Sequence, residues 1–240
     1  MFTNNLDTFL QTQIDQKKRN FILLGETGSG KSEIALNIAL ELARSGQNVH
    51  FFDMDQTKPI FRSRELSDHL KENHVTVDAI PQLLDSPTVP PGIATSLADR
   101  ETCTVLDIGG NVVGARTIGQ YVESWGQDTV AFMVVNVFRP GSSPLSNLED
   151  ALSAIAGAAR IPCETVVCNP NFGADTTVDD VMAGWKHLRE LLDTSRFKIR
   201  WIVAEQSIAE KVRECLPGHD VFGIRRFIRM PWEISSYPIK

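Results

Sequence analysis

The sequence predicts an α/β fold, a mainly parallel sheet flanked by helices on both faces, and three observations predict it. Short, apolar, β-branched runs alternate with longer segments of helical character through most of the 240 residues, the pattern of strands joined by helical crossovers. Several of these runs are apolar almost throughout, as strands covered on both faces must be. A glycine-rich segment, GETGSGKS at residues 25–32, stands between one such run and the helical segment that follows it.

In chain order, a helix over residues 3–17 precedes a strand over 20–25 (NFILLG), and the glycine-rich segment opens a helix over 31–45. A strand over 48–53 (NVHFFD), a helix over 63–73 and a strand over 75–80 (VTVDAI) follow. The stretch from Pro81 to Gly92 holds Pro81, Pro87, Pro90 and Pro91. It reads as a surface loop, of a length that often carries function. Beyond it come a strand over 103–108 (CTVLDI), a helix over 113–125 and a strand over 129–137 (TVAFMVVNV). The helix over 145–159 is marked by Leu148, Leu152, Ile155 and Ala156 at helical spacing. A strand over 164–168, a helix over 177–193, a strand over 198–204 and a helix over 206–215 complete the alternation. The last stretch, Phe222 to Trp232, mixes Arg225, Arg226 and Arg229 with apolar residues and contains Pro231. An edge strand and loop fits it better than a helix lying on a membrane surface. No repeat, low-complexity tract or linker divides the chain, so residues 1–240 read as a single domain.

Bulk properties narrow the function. A composition of 42% hydrophobic and 22% charged residues is that of an ordinary globular protein, and a net charge of −6 argues against nonspecific nucleic-acid binding as the main task. No segment has the uninterrupted apolar length of a membrane span, and the amino terminus lacks the apolar run of a signal peptide. Cys103, Cys163, Cys168 and Cys215 form no CxxC pair and read as free thiols of a reducing compartment. The expected location is the cytoplasm.

In GETGSGKS the pattern GxxxxGK[ST] is complete and lies between strand and helix, as a phosphate-binding loop requires. Gly25, Gly28 and Gly30 let the backbone close on a phosphate without a Cβ in the way, leaving Glu26, Thr27 and Ser29 to contribute their amides. The following helix adds its positive end. Lys31 is placed to reach the β and γ phosphates, and the Ser32 hydroxyl to join the coordination of Mg²⁺. Such a site needs a carboxylate at the end of a buried strand. Asp107 in VLDIGG fits, with Gly109 and Gly110 leaving room for the γ phosphate. Asp53 and Asp55 in DMD close the strand after the loop helix. Ser32, Asp53 and Asp107 form the candidate metal set, and Asp53 or Asp55 could orient the attacking water. A turn or cap is the competing explanation for each of these aspartates.

The loop, then DMD, then DIGG resembles the MinD/ParA group of deviant P-loop ATPases over residues 20 to about 170. That resemblance implies ATP and Mg²⁺ as ligands, slow hydrolysis, a water-activating role for Asp55 and a DxG[GP]-like role for Asp107. It also implies that Asn169, in ETVVCNPN, contacts adenine through its amide. A guanine-specific NKxD element would need a Lys and an Asp that this turn lacks. One departure stands out. The group carries a lysine at the second position of the loop, which reaches the phosphates across a nucleotide-sandwich dimer, and this sequence has Glu26 there. Arg62 or Arg64 could supply compensating charge.

The expected function is therefore an Mg-ATP-dependent switch that catalyses slow ATP hydrolysis with Lys31, Asp55 and Asp107, answers to a protein partner and possesses the option of an ATP-dependent homodimer. An ATP-dependent kinase or ligase for a small molecule is the alternative, with the Pro81–Gly92 loop and Arg62, Arg64 and Arg116 as its acceptor pocket. A binding-only adaptor without turnover is the third reading.

Overall fold

A strand buried on both faces sends alternate side chains into two different cores, and the first strand, β1 (Asn20–Leu24), does so. Phe21 and Leu23 enter one apolar cluster, Ile22 and Leu24 the other. The computed structural model describes residues 5–55, 64–79, 90–139 and 145–228. Among them β1 is joined by β2 (Asn48–Met54), β3 (Val75–Ala79), β4 (Thr102–Ile108), β5 (Thr129–Val135), β6 (Thr165–Cys168), β7 (Lys198–Glu205) and β8 (Val221–Ile224). All pair in parallel, in the order β3-β2-β4-β1-β5-β6-β7-β8.

The helices divide between the two faces. On one side lie α1 (Asn5–Asp15), α2 (Lys31–Arg44) and α3 (Arg64–Glu72), through residues such as Leu10, Ile38 and Leu70. On the other lie α4 (Ile93–Ala98), α5 (Val112–Ile118), α6 (Leu145–Ala159), α7 (Val178–Leu191) and α8 (Gln206–Cys215), through residues such as Leu97, Ile118, Leu152, Leu188 and Val212. Leu6, Leu10 and Ile14 fasten α1, each burial contributing about 1.5–3 kcal/mol. Phe9 adds an edge-on contact to Trp201 with ring centroids 4.3 Å apart. The α/β class expected from the sequence is the observed one.

Local departures have local causes. The helix expected over 113–125 stops at Ile118, and Gly119–Ser124 tightens into a 3-10 turn. There a Cβ on Gly119 would lie 2.7 Å from the Ala158 carbonyl oxygen, so the chain turns where it touches α6. The strand expected to 137 ends at Val135, because the Asn136 side chain turns back to accept the Phe138 amide at 3.1 Å. Helix α4 is too short to register as periodic, with Ile93 and Leu97 as its apolar anchors. Residues 80–89 of the proline-rich loop, Arg62 and its surroundings at 56–63, the side chain of Arg64, and residues from Arg229 onward lie outside the described residues. The expected edge strand of the last stretch is β8. The described cysteines are unpaired, with Cys103, Cys163 and Cys168 buried and Cys215 exposed. Among the described residues no helix is long and apolar enough to cross a membrane.

After β8 the chain crosses α2 and is clamped there by side chains. Asn37 donates to the Arg225 carbonyl and accepts the Arg225 amide, both at 2.8 Å. Glu33 accepts the amides of Phe227 at 2.9 Å and Ile228 at 2.7 Å. Burial pushes the Glu33 carboxyl up to about 7 against the pull of those two amides. Asn37→Ala removes both bonds to Arg225. At a cost of about 1–3 kcal/mol for stranding their partners, Tm is expected to fall by roughly 2–10 °C in a calorimetric scan. An unchanged Tm would mean that the clamp adds nothing to the fold.

Candidate functional site

With β1 in the middle of the sheet, the loops after β4 and β5 flank the loop after β1 at the carboxyl edge, where open α/β sheets bind ligands. Between Leu24 and Lys31 the chain must leave the sheet and enter α2. It does so with Gly25, Gly28 and Gly30 at φ of 138°, 80° and 91°, a region side chains disfavour. A Cβ on Gly25 would strike the Val134 carbonyl of β5, and one on Gly30 the Asn169 amide. Helix α2 is N-capped by Gly30 without a side-chain hydrogen bond. The amides of its first turn are thus available to an anion.

Lys31 folds back over this loop, its Nζ donating to the Glu26 carbonyl at 2.9 Å. The side chain is 4% exposed. Burial lowers its pKa, and the charges of Asp107, Asp55 and Glu26 oppose that shift. Ser32 donates its hydroxyl to Asp107 Oδ2 at 2.6 Å. Asp107 is fully buried, and its Oδ1 has no hydrogen-bond partner among the described residues. Desolvation pushes this carboxyl up to about 6, although Lys31 and Ser32 pull it down. A half-buried hydroxyl beside a carboxylate with an oxygen to spare suits Mg²⁺, which takes one or two protein oxygens and completes its shell with phosphate and water. No group of three or more His, Cys, Asp and Glu among the described residues could hold a metal alone.

Asp53 stands directly across from Asp107 in the β2–β4 register, so the two carboxylates share a sheet face one strand apart. Asp53 accepts the Asp55 amide on Oδ1 at 3.0 Å and so shapes the turn that carries Asp55. Asp55 is half-buried and near enough to Lys31 and Asp107 to act on both charges. Thr27 Oγ1 donates to the Gly110 carbonyl at 3.0 Å, and a Cβ on Gly110 would lie 2.5 Å from Thr27 Cα. Asn169 closes the far side, its Nδ2 donating to the Ser29 carbonyl at 2.7 Å. The folded chain thus brings the predicted residues from Gly25 to Ser32, together with Asp53, Asp55, Asp107 and Asn169, to one sheet edge. Arg116 sits apart on α5, exposed.

Two residues at this edge escape a reading of the sequence. Asn136 is buried at the end of β5, where its Oδ1 accepts the Asn171 amide at 3.3 Å and its Nδ2 donates to the Asn171 carbonyl at 2.9 Å. It locks the turns after β5 and β6 together. Arg139 lies against the loop itself, donating from Nε to the Gly28 carbonyl at 3.1 Å. The signal that finds them is strand order, since both follow the strand next to β1.

The model of the family described as the CobQ/CobB/MinD/ParA nucleotide binding domain matches residues 21–168. The chain belongs to this family. It is a nucleotide-binding P-loop NTPase of the MinD/ParA type. Among solved structures, the cell division protein FtsY of Thermotoga maritima matches with a TM-score of 0.53 and 14% identity over 78% of this chain and 62% of that one. That likeness is one of fold, and this chain spans 62% of the length of that FtsY. A nucleotide-binding protein of Archaeoglobus fulgidus, solved in complex with ADP, matches with a TM-score of 0.46 and 18% identity over 87% of this chain and 90% of that one. The hydrogenase maturation factor HypB of the same organism gives a TM-score of 0.41 and 11% identity over 82% and 87% of the two chains. No curated protein matches the chain.

Proposed function

We propose that this chain acts as a single-domain, Mg-ATP-dependent switch that hydrolyses ATP slowly in the cytoplasm and passes the state of the γ phosphate to a protein partner. The observation that carries the reading is the contact between Thr27 of the phosphate loop and Gly110 of the turn after β4, 3.0 Å from Oγ1 to the carbonyl oxygen. A phosphate that moves the loop has to move this turn. The turn runs into α5, where the Asn111 side chain accepts the Gly114 amide at 2.7 Å and Val113 is 65% exposed. An apolar residue so placed is a natural contact for a partner that reads the turn.

In this reading Lys31 and the amides of residues 25–32 bind the β and γ phosphates, and Ser32 and Asp107, backed by Asp53, hold Mg²⁺. The metal, when bound, supplies positive charge to the phosphate oxygens. Asp55 orients the water that attacks the γ phosphate. Asn169 contacts adenine, and Phe172 stands where a guanine-specific element has its acid, which favours ATP. Glu26 means that any ATP-dependent homodimer completes its sites without the group's lysine.

The test is Asp55→Ala with Mg-ATP. Binding should persist while turnover falls at least about 100-fold, the low end of what a side chain positioned at the reacting water contributes. Size-exclusion chromatography of the variant with and without Mg-ATP then reports whether the ATP state dimerises. Wild-type turnover in the variant would remove Asp55 from the mechanism. A wild type that leaves ATP untouched until a small acceptor is added would be a kinase or ligase instead.

A further inference from the structure

The phosphate site is rich in carboxylates. Glu26, Asp53, Asp55 and Asp107 surround a loop whose own cation is Lys31. A transferring phosphoryl group adds negative charge to that setting, and in related chemistry an arginine supplied in cis or in trans offsets it. We propose that Arg139 is that cation here, a catalytic residue acting in cis on the hydrolysis proposed above, on which this inference rests.

The sheet places it. β5 pairs with β1 up to Leu24 and Met133, so the chain leaving β5 passes beside the loop leaving β1. Asn136 fixes the turn by accepting the Phe138 amide at 3.1 Å, and the Arg139 amide returns to the Asn136 carbonyl at 3.2 Å. Phe138 stacks on Phe172 with centroids 4.4 Å apart and rings 18° from parallel, which adds a second hold on the same turn. The Arg139 side chain then lies across Gly28. A Cβ on that glycine would be 3.0 Å from Nε and 3.3 Å from Cζ, so the absence of a side chain is what admits the guanidinium. Nε donates to the Gly28 carbonyl at 3.1 Å. A guanidinium has five N–H donors, and this contact uses one. Arg139 also lines a small cavity together with Glu26, Thr27 and Ser29 of the loop.

A charge held on the loop before nucleotide arrives needs little reorganisation when charge develops, which is where electrostatic catalysis gains most. In the step itself the water oxygen bonds to the γ phosphorus as the bond from that phosphorus to the β-phosphate oxygen breaks. The electron pair stays on the β phosphate, and the proton lost by the water passes to the released phosphate. Arg139 remains protonated throughout and donates hydrogen bonds to the oxygens that gain charge.

Mg-ADP with aluminium fluoride, a mimic of the transferred group, separates this role from a structural one. Affinities for Mg-ADP with and without aluminium fluoride, and kcat and KM for ATP, are measured on the wild type, Arg139→Ala, Arg139→Lys and Lys31→Ala. Arg139→Ala should bind Mg-ADP as the wild type does, lose the tightening by aluminium fluoride, and lose roughly 100- to 1000-fold in kcat at similar KM. Arg139→Lys should recover part of the kcat. Equal losses of affinity with and without aluminium fluoride would make Arg139 a brace for the loop, and an unchanged kcat would also overturn the inference. Both of those failures leave the switch standing. A wild type without ATP turnover, or a Lys31→Ala protein that binds ATP normally, would bring down the underlying reading as well.

Discussion

Lys31→Ala is expected to abolish nucleotide binding. The side chain is buried over the loop and held to the Glu26 carbonyl at 2.9 Å. Its ammonium is the positive charge that Asp107, Asp55 and Glu26 all act upon. Removing it takes away the phosphate ligand and leaves those carboxylates to repel the triphosphate. Loss of two charge-assisted hydrogen bonds, at roughly 1.5–3 kcal/mol each, corresponds to a fall of at least about 100-fold in affinity. Titration calorimetry with Mg-ATP reads it directly. Unchanged affinity would show that residues 25–32 are not where the nucleotide binds.

Asp107→Asn should part stability from function. The wild-type carboxyl is fully buried and its pKa stands at about 6, above the ordinary value of 3.8. With the folded value raised, the contribution to stability is complete below the unfolded pKa and is lost as pH rises through the folded one. At pH 8 the ionised, ligand-free wild type therefore carries a cost on the order of 3 kcal/mol that a neutral side chain of the same shape avoids. The ligand-free variant should melt at or above the wild-type temperature at pH 8, with the difference narrowing as pH falls through about 6 and vanishing only below 3.8. Its hydrolysis of Mg-ATP should fall by at least about 100-fold, because the carboxylate proposed to hold the metal is gone. A variant less stable than wild type at pH 8 would mean that the bond from Ser32 outweighs the burial of the charge.

Much of the fold is legible in the chain because doubly covered strands announce themselves by continuous apolar runs. Each strand from β1 to β7 was predicted within a residue or two of its ends. What local pattern does not encode is lateral order. DMD and DIGG are far apart in sequence, and only the β2–β4 register sets Asp53 opposite Asp107. Asn136 and Arg139 were invisible for the same reason, since NVFR carries no motif until β5 is known to border β1. The turn of Gly119–Ser124 was missed because contact with α6, which overrides helical propensity there, is a tertiary event. Asp53 takes the turn role that competed with its proposed place in the metal set, since its Oδ1 accepts the Asp55 amide.

The clamp on α2 has a further consequence. Ser32 and Glu33 are consecutive residues of one helical turn, the first tied to Asp107 and the second to the backbone of Phe227 and Ile228. Phe227 in turn rests against His69 of α3, ring centroids 5.7 Å apart. The run after β8 is therefore wired to the nucleotide loop through the carboxylate next to Ser32, and a dye or spin label at position 227 would sit on a ready-made antenna for what that loop holds.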